Sequence, residues 1–90
     1  MAKIVIYTTQ VCPFCVRAKA LLRSKQVDFE EIDIGRDPRL QEEAQRQSGR
    51  RTVPQIFIDG ASIGGYDELR LLDEEGKLDG MLGLEVRNGD

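Results

Sequence analysis

Short apolar runs alternate with charged, helix-patterned stretches along this chain, and that alternation predicts its elements. Residues 3–7 carry Ile4-Val5-Ile6-Tyr7, a β-branched run ended by Thr8-Thr9, which predicts a buried strand. Pro13 suits the first turn of a helix, where its missing N–H costs nothing. That helix is expected to reach about Lys25, with Val16, Ala20 and Leu21 as its apolar stripe. Phe29 to Ile34 reads as a second strand, with Phe29, Glu31 and Asp33 on one side and Ile32 and Ile34 on the other. Apolar side chains on both sides mean that both faces of the sheet are partly covered. Asp37-Pro38 supplies an N-cap and a first-position proline for a helix through Ser48, closed by Gly49 in a left-handed cap. Ile56-Phe57-Ile58 predicts a third strand, Asp59-Gly60 a hairpin turn, and Ala61–Ile63 a short edge strand. Gly64-Gly65 ends that strand. Asp67 is then expected to cap a helix through Leu69 and Leu72 to about Glu75, with Gly76 ending it. The tail from Gly83 to Asp90 is polar and expected to fray.

The predicted order is β-α-β-α-β-β-α. The first half is a βαβ unit, which should be right-handed with parallel strands, and the hairpin adds an antiparallel edge. The expectation is an α/β fold, a four-stranded mixed sheet flanked by helices. A chain of 90 residues fits one domain, 1–90, and can bury enough apolar surface to fold without staples. The start runs directly into a strand pattern, so no signal peptide is expected, and no apolar run approaches a membrane span. A soluble protein of a reducing compartment, most simply the cytoplasm, follows as an expectation.

Charge adds one further point. The net value of −3 is uneven: residues 1–51 hold ten Lys and Arg against seven Asp and Glu, and residues 52–90 hold three against nine. Arg17, Lys19, Arg23 and Lys25 fall in the first helix, and Arg50-Arg51 lies further on. They could favour an anionic small substrate, although a solvated helix face is the plainer reading. A weakly acidic chain with few aromatics gives little support for binding nucleic acid.

The chemistry lies in the cysteines, of which there are two: Cys12-Pro13-Phe14-Cys15. Cys12 falls between the first strand and the first helix, where free amide N–H groups and the helix dipole favour thiolate over thiol. Cys15 lies within the first turn, close enough to close a disulfide. A bridge around two residues hardly restricts the unfolded chain, so a structural staple is a poor reason for the pair. Cys12 is expected to face water and act as nucleophile, and Cys15 to be more covered and act as the resolving thiol. Inert core cysteines, half of a zinc site, or an iron–sulfur cluster shared between two chains are alternatives. The chain has no histidine and no further cysteine, so one subunit cannot supply four N/S ligands, whereas a dimer could hold a cluster. No metal is assigned.

Two other segments complete the candidate site. A cis bond in Thr52-Val53-Pro54 would turn the Val53 backbone groups toward the thiols as a short peptide clamp. An ordinary strand-start proline is the alternative. Gly64-Gly65-Tyr66-Asp67 opens a helix whose N–H groups could receive a carboxylate, while Asp67 could meet an ammonium.

Taken together in this order and spacing, these three motifs resemble the dithiol glutaredoxins of the small bacterial type. The likeness runs from residue 3 to about 82. It extends to Arg17-Ala18-Lys19-Ala20-Leu21-Leu22, Ser48-Gly49-Arg50 and Gln55-Ile56-Phe57-Ile58-Asp59. The resemblance implies a thioredoxin-like fold and a glutathione-dependent thiol–disulfide oxidoreductase acting on glutathionylated and disulfide-bonded proteins. It implies glutathione as reducing co-substrate, no tightly bound cofactor and a monomer. By the same resemblance Cys12 forms the mixed disulfide and Phe14 packs beside glutathione, where the family often has tyrosine. Thr52, Val53 and a cis Pro54 line the tripeptide, and Gly65, Tyr66 and Asp67 hold its γ-glutamyl end. Thr9 stands where many members have a lysine, for which Arg50, Arg51 or Gln47 could compensate. A related hydrogen donor reduced by thioredoxin reductase typically carries a C-terminal tryptophan motif, and this chain has no tryptophan.

Overall fold

The computed structural model describes residues 2–50 and 52–84. Four strands form one sheet: β1 (Ile4–Thr8), β2 (Glu30–Asp33), β3 (Gln55–Ile58) and β4 (Ala61–Gly64). Four helices accompany them: α1 (Pro13–Ser24), α2 (Pro38–Ser48), α3 (Tyr66–Glu74) and α4 (Leu78–Met81). The strand order is β2-β1-β3-β4. Strand β1 runs parallel to β2 and antiparallel to β3, which is antiparallel to β4. This is the expected thioredoxin-like mixed sheet.

Period-two alternation on β1 and β3 builds two cores. Ile4, Ile6, Ile56 and Ile58 face one side and pack with Ala18, Leu22, Leu69, Leu78 and Leu82. Tyr7 and Phe57 face the other, with Ile34 and Ala44; the two rings meet edge to face at 5.6 Å. Phe29 packs on the first core and Ile32 on the second, as the mixed pattern of that strand required. Acidic Glu31 has a use on the same edge: its carboxylate accepts from Thr8 Oγ1 at 2.8 Å and from Lys19 at 2.9 Å.

Caps explain most element ends. Asp37 Oδ1 accepts the N–H groups of Arg39 at 2.9 Å and Leu40 at 3.4 Å, and Gly49 closes α2 at φ 74°. Asp59 and Gly60 both take positive φ, 52° and 83°, as a two-residue hairpin turn demands.

Three expectations need correction. The fully buried face of α1 is Cys15, Ala18 and Leu22; of the expected stripe Leu21 packs on the first core, whereas Ala20 is exposed and Val16 is 61% exposed. Helix α3 begins at Tyr66 with Gly65 as N-cap, which puts Asp67 inside the first turn. A further helix, α4, follows α3. Leu84 N–H bonds to the Asp79 carbonyl at 2.9 Å and Leu84 packs on the first core, so residues 83 and 84 close α4. The rest of the expected tail, 85–90, lies outside the described residues, as does Arg51.

Candidate active site

Cys12 is the N-cap of α1, in extended conformation at φ −149° and ψ 95°. Its carbonyl accepts the first helical bond, from Val16 N–H at 3.1 Å, and its Sγ accepts Cys15 N–H at 3.1 Å. The sulfur takes the place that a serine or aspartate oxygen fills at an ordinary helix start. A thiolate there gains a charge-assisted donor and the positive end of the helix dipole. The first turn contains no acidic residue to offset that gain. Cys12 and Cys15 are joined in a disulfide, with Cα atoms 5.1 Å apart. Cys12 retains 9% exposure and Cys15 2%, so Cys12 is the more accessible sulfur, though more covered than a residue facing water. Its Sγ lies against a wall, 3.8 Å from the Val53 carbonyl oxygen.

The wall is the segment before β3, in which the Val53–Pro54 peptide bond is cis. Neither backbone group of Val53 pairs with another backbone group among the described residues. Beside it, Phe14, Thr52, Val53, Pro54, Gly65, Tyr66 and Asp67 line one groove of about 160 Å³, together with Arg50 and Glu68. All the expected binding residues therefore converge. The Phe14 ring stacks on Tyr66 with centroids 6.2 Å apart, and the Arg17 guanidinium lies over the Phe14 ring, 5.3 Å from its centroid. Gly65 sits so close to the cis-proline segment that an added Cβ would lie 3.3 Å from the Pro54 carbonyl oxygen.

Glu68 is the residue that sequence reasoning missed. Its Oε1 accepts Gly65 N–H at 2.7 Å and an Arg50 N–H at 3.0 Å. The Gly65 bond, aided by the Arg50 charge and opposed by burial, holds its carboxyl below the ordinary range. Gly65 N–H is thus occupied, and the helix donors left facing the groove are those of Tyr66 and Asp67, which have no intrahelical acceptor in a first turn. A usable signal was present: glutamate three residues after the N-cap is half of a capping box.

The basic residues of the first half mostly serve the fold. Lys19 pairs with Glu31, and Lys25 with Asp73 at 2.6 Å and Asp79 at 2.8 Å. Arg23 covers the Phe29 ring. Of the possible substitutes for a lysine at Thr9, Arg50 lines the groove, whereas Gln47 bonds to Glu43 and lines a separate hollow with Tyr7 and Phe57.

The family model for glutaredoxin matches residues 4–63 of the chain. The chain belongs to the glutaredoxin family. Glutaredoxin 3 of Escherichia coli strain K12 is 54% identical over 82 residues, which cover 91% of this chain and 99% of the relative. The solution structure of a glutaredoxin from Brucella melitensis superposes with a TM-score of 0.82 at 49% identity and covers 96% of each chain. The crystal structure of a buckwheat glutaredoxin–glutathione complex gives 0.84 at 29% identity, over 91% of this chain and 77% of that one. As a glutaredoxin, the molecule is a thiol–disulfide oxidoreductase, and Cys12–Cys15 is its redox pair in the oxidised state. No helix among the described residues is long and apolar enough to cross a membrane.

Proposed function

We propose that this glutaredoxin uses glutathione to reduce glutathionylated mixed disulfides and protein disulfides, with Cys12 as nucleophile and Cys15 as resolving thiol. The observation that carries the proposal is the placement of Cys12 Sγ. It accepts a helix-start N–H at 3.1 Å, stands 3.8 Å from the Val53 carbonyl, and adjoins a groove ending at the open N-terminus of α3. An extended tripeptide fits that arrangement. Its cysteine backbone pairs with Val53, between Thr52 and the cis Pro54. Its γ-glutamyl carboxylate meets the N–H groups of Tyr66 and Asp67, and its ammonium meets the Asp67 carboxylate. Phe14 covers the tripeptide from the thiol side, and Gly65 permits the close approach of α3 to Pro54. The buckwheat complex with glutathione supports the choice of tripeptide.

The chemistry then balances in two exchanges. Cys12 thiolate attacks the glutathione sulfur of a mixed disulfide, and the protein sulfur leaves with the electron pair and takes a proton from water. A second glutathione thiolate attacks the glutathione sulfur held on Cys12, which releases glutathione disulfide and restores the Cys12 thiolate. For a protein disulfide, Cys12 attacks first and Cys15 displaces the substrate, which leaves the Cys12–Cys15 bridge for two glutathiones to reduce. We extend the reading to a single-domain monomer of 90 residues working in the cytoplasm, where the glutathione poise is reducing.

The test is Cys15→Ser. It should retain turnover of a glutathionylated peptide and lose reduction of an intramolecular protein disulfide. Loss of both activities, or retention of both, refutes the division of labour between the two sulfurs.

A further inference from the structure

Arg50 is an exposed residue, yet it is held from three directions. Its backbone N–H donates to Ser48 Oγ at 3.0 Å, at the end of α2, and its carbonyl accepts from the same hydroxyl at 3.3 Å. That carbonyl also accepts from Nε2 of the buried Gln55, 2.8 Å away at the start of β3. Ser48 and Gln55 thus fix the chain on both sides of Thr52-Val53-Pro54. The Arg50 guanidinium reaches the other wall of the groove beside Tyr66, where it donates to Glu68 Oε1 at 3.0 Å. The same oxygen accepts Gly65 N–H at 2.7 Å, at the start of α3. Arg50 is the one cation lining this groove among the described residues, and its charge is already paired with Glu68. A side chain awaiting a ligand needs none of these ties. One that joins two walls needs all of them.

This inference rests on the glutathione reading above, in which the tripeptide touches Val53 on one wall and the N–H groups of Tyr66 and Asp67 on the other. Both sets of contacts form together only while the walls keep their separation, and a groove that must first be ordered binds more weakly. We propose that Arg50 is a positioning residue that couples the Val53 clamp to the mouth of α3 through Glu68, and so sets the affinity for the glutathionyl group without acting on the sulfurs. The contrary arrangement, in which Arg50 meets a ligand carboxylate directly, gives the opposite response to loss of Glu68. The guanidinium and the Gly65 N–H would then be released toward the ligand, and binding would tighten.

The experiment measures KM and kcat separately for a glutathionylated peptide in wild type, Arg50→Met, Glu68→Ala and the double variant, at a temperature where urea unfolding shows each to be folded. Each single variant should raise KM by about threefold or more, the scale of one partly exposed charge-assisted hydrogen bond, with kcat held within about twofold. Because both substitutions break the same tie, the double variant should match Glu68→Ala within about twofold. A KM that falls or stays level in Glu68→Ala overturns the coupling, as does a smaller rise in Arg50→Met or a fall in kcat in place of the rise in KM. Single effects that multiply in the double variant overturn it too. So does a displacement of the Cys12 thiolate titration by about one unit or more in Arg50→Met, followed in the Cys15→Ser background, since Arg50 would then act on the sulfur. Wild type that reduces a protein disulfide but leaves the glutathionylated peptide untouched overturns the glutathione reading and this inference with it. Wild-type turnover with unmoved variants overturns this inference alone.

Discussion

Replacing Glu68 with alanine should destabilise the protein in a way that depends on pH. Its Oε1 holds the Gly65 N–H at 2.7 Å and Arg50 at 3.0 Å, so one carboxylate ties the start of α3 to the segment before the cis proline. A hydrogen bond to a charged acceptor contributes about 1.5–3 kcal/mol when well shielded. The Glu68 side chain is 40% exposed and Arg50 46%, which reduces the first contribution by about half and leaves the ion pair about 0.5 kcal/mol or less. The expected loss is about 1–2 kcal/mol near neutral pH, or roughly 5–12 °C in Tm for a domain of this size. The folded pKa is lowered, mainly by the Gly65 bond. The contribution is therefore complete above the unfolded value of about 4.3 and is lost as pH falls through the lower folded value. Urea unfolding of wild type and Glu68→Ala at several pH values checks this: the gap should close toward acid pH. Glu68→Gln keeps an acceptor for Gly65 and should lose about half as much. A gap independent of pH, or none at pH 7, refutes the assignment of Glu68 as the cap of α3.

Two further predictions follow from the same bookkeeping of donors and charges. In Cys15→Ser the ultraviolet absorbance of the Cys12 thiolate should titrate well below the free-thiol value of about 8.5, because the backbone N–H at position 15 remains; a midpoint at that value removes the role of the helix start. Lys25→Met should cost about 1 kcal/mol in urea unfolding, since its ammonium bridges Asp73 and Asp79 across the ends of three helices. Hydrogen bonds to Asp73 and then Asp79 raise the Lys25 pKa, so its contribution is complete below the unfolded value of about 10.4 and disappears as pH rises through the higher folded value. A loss unchanged above that range contradicts it.

Elements with strong local signals were legible in the sequence. Asp37-Pro38 and Gly49 bracket α2 because the N-cap, the fixed proline φ and the left-handed glycine each act locally. The α1 stripe was right at Leu21 and wrong at Val16 and Ala20, because Val16 carries more hydrophobic weight than Cys15 and Ala18. The inward face is the one on which Ala18 and Leu22 pack with strand and α3 residues of the first core, which is tertiary information. Helix α4 escaped notice since Gly80 weakens its pattern, although Leu78, Met81 and Leu82 recur at helical spacing. Glu68 was hidden by placing the N-cap two residues late, at Asp67. Gln55 gave no local signal: a single amide at the start of an apolar strand does not announce that it is buried with its oxygen unpaired.

Register explains why distant segments meet at one place. Tyr7 pairs with Gln55, so the end of β1 lies beside the beginning of its antiparallel neighbour. The residues that follow β1 and those that precede β3 must then leave the sheet at the same edge, and these are Cys12 and Val53, 41 positions apart in sequence. Gly64 pairs with Ile56, so β4 ends at that edge as well and delivers the N-terminus of α3 there. A bulge between Ile56 and Phe57 sets this last register, and Gly64 takes φ 112°, where a Cβ would press on Glu68 at 2.8 Å. A side chain at Gly64 is therefore excluded twice, by backbone conformation and by space. The thiol, the peptide clamp and the helix mouth are consequences of two strand registers, and the chemistry needs no segment that the sheet does not already bring to that edge.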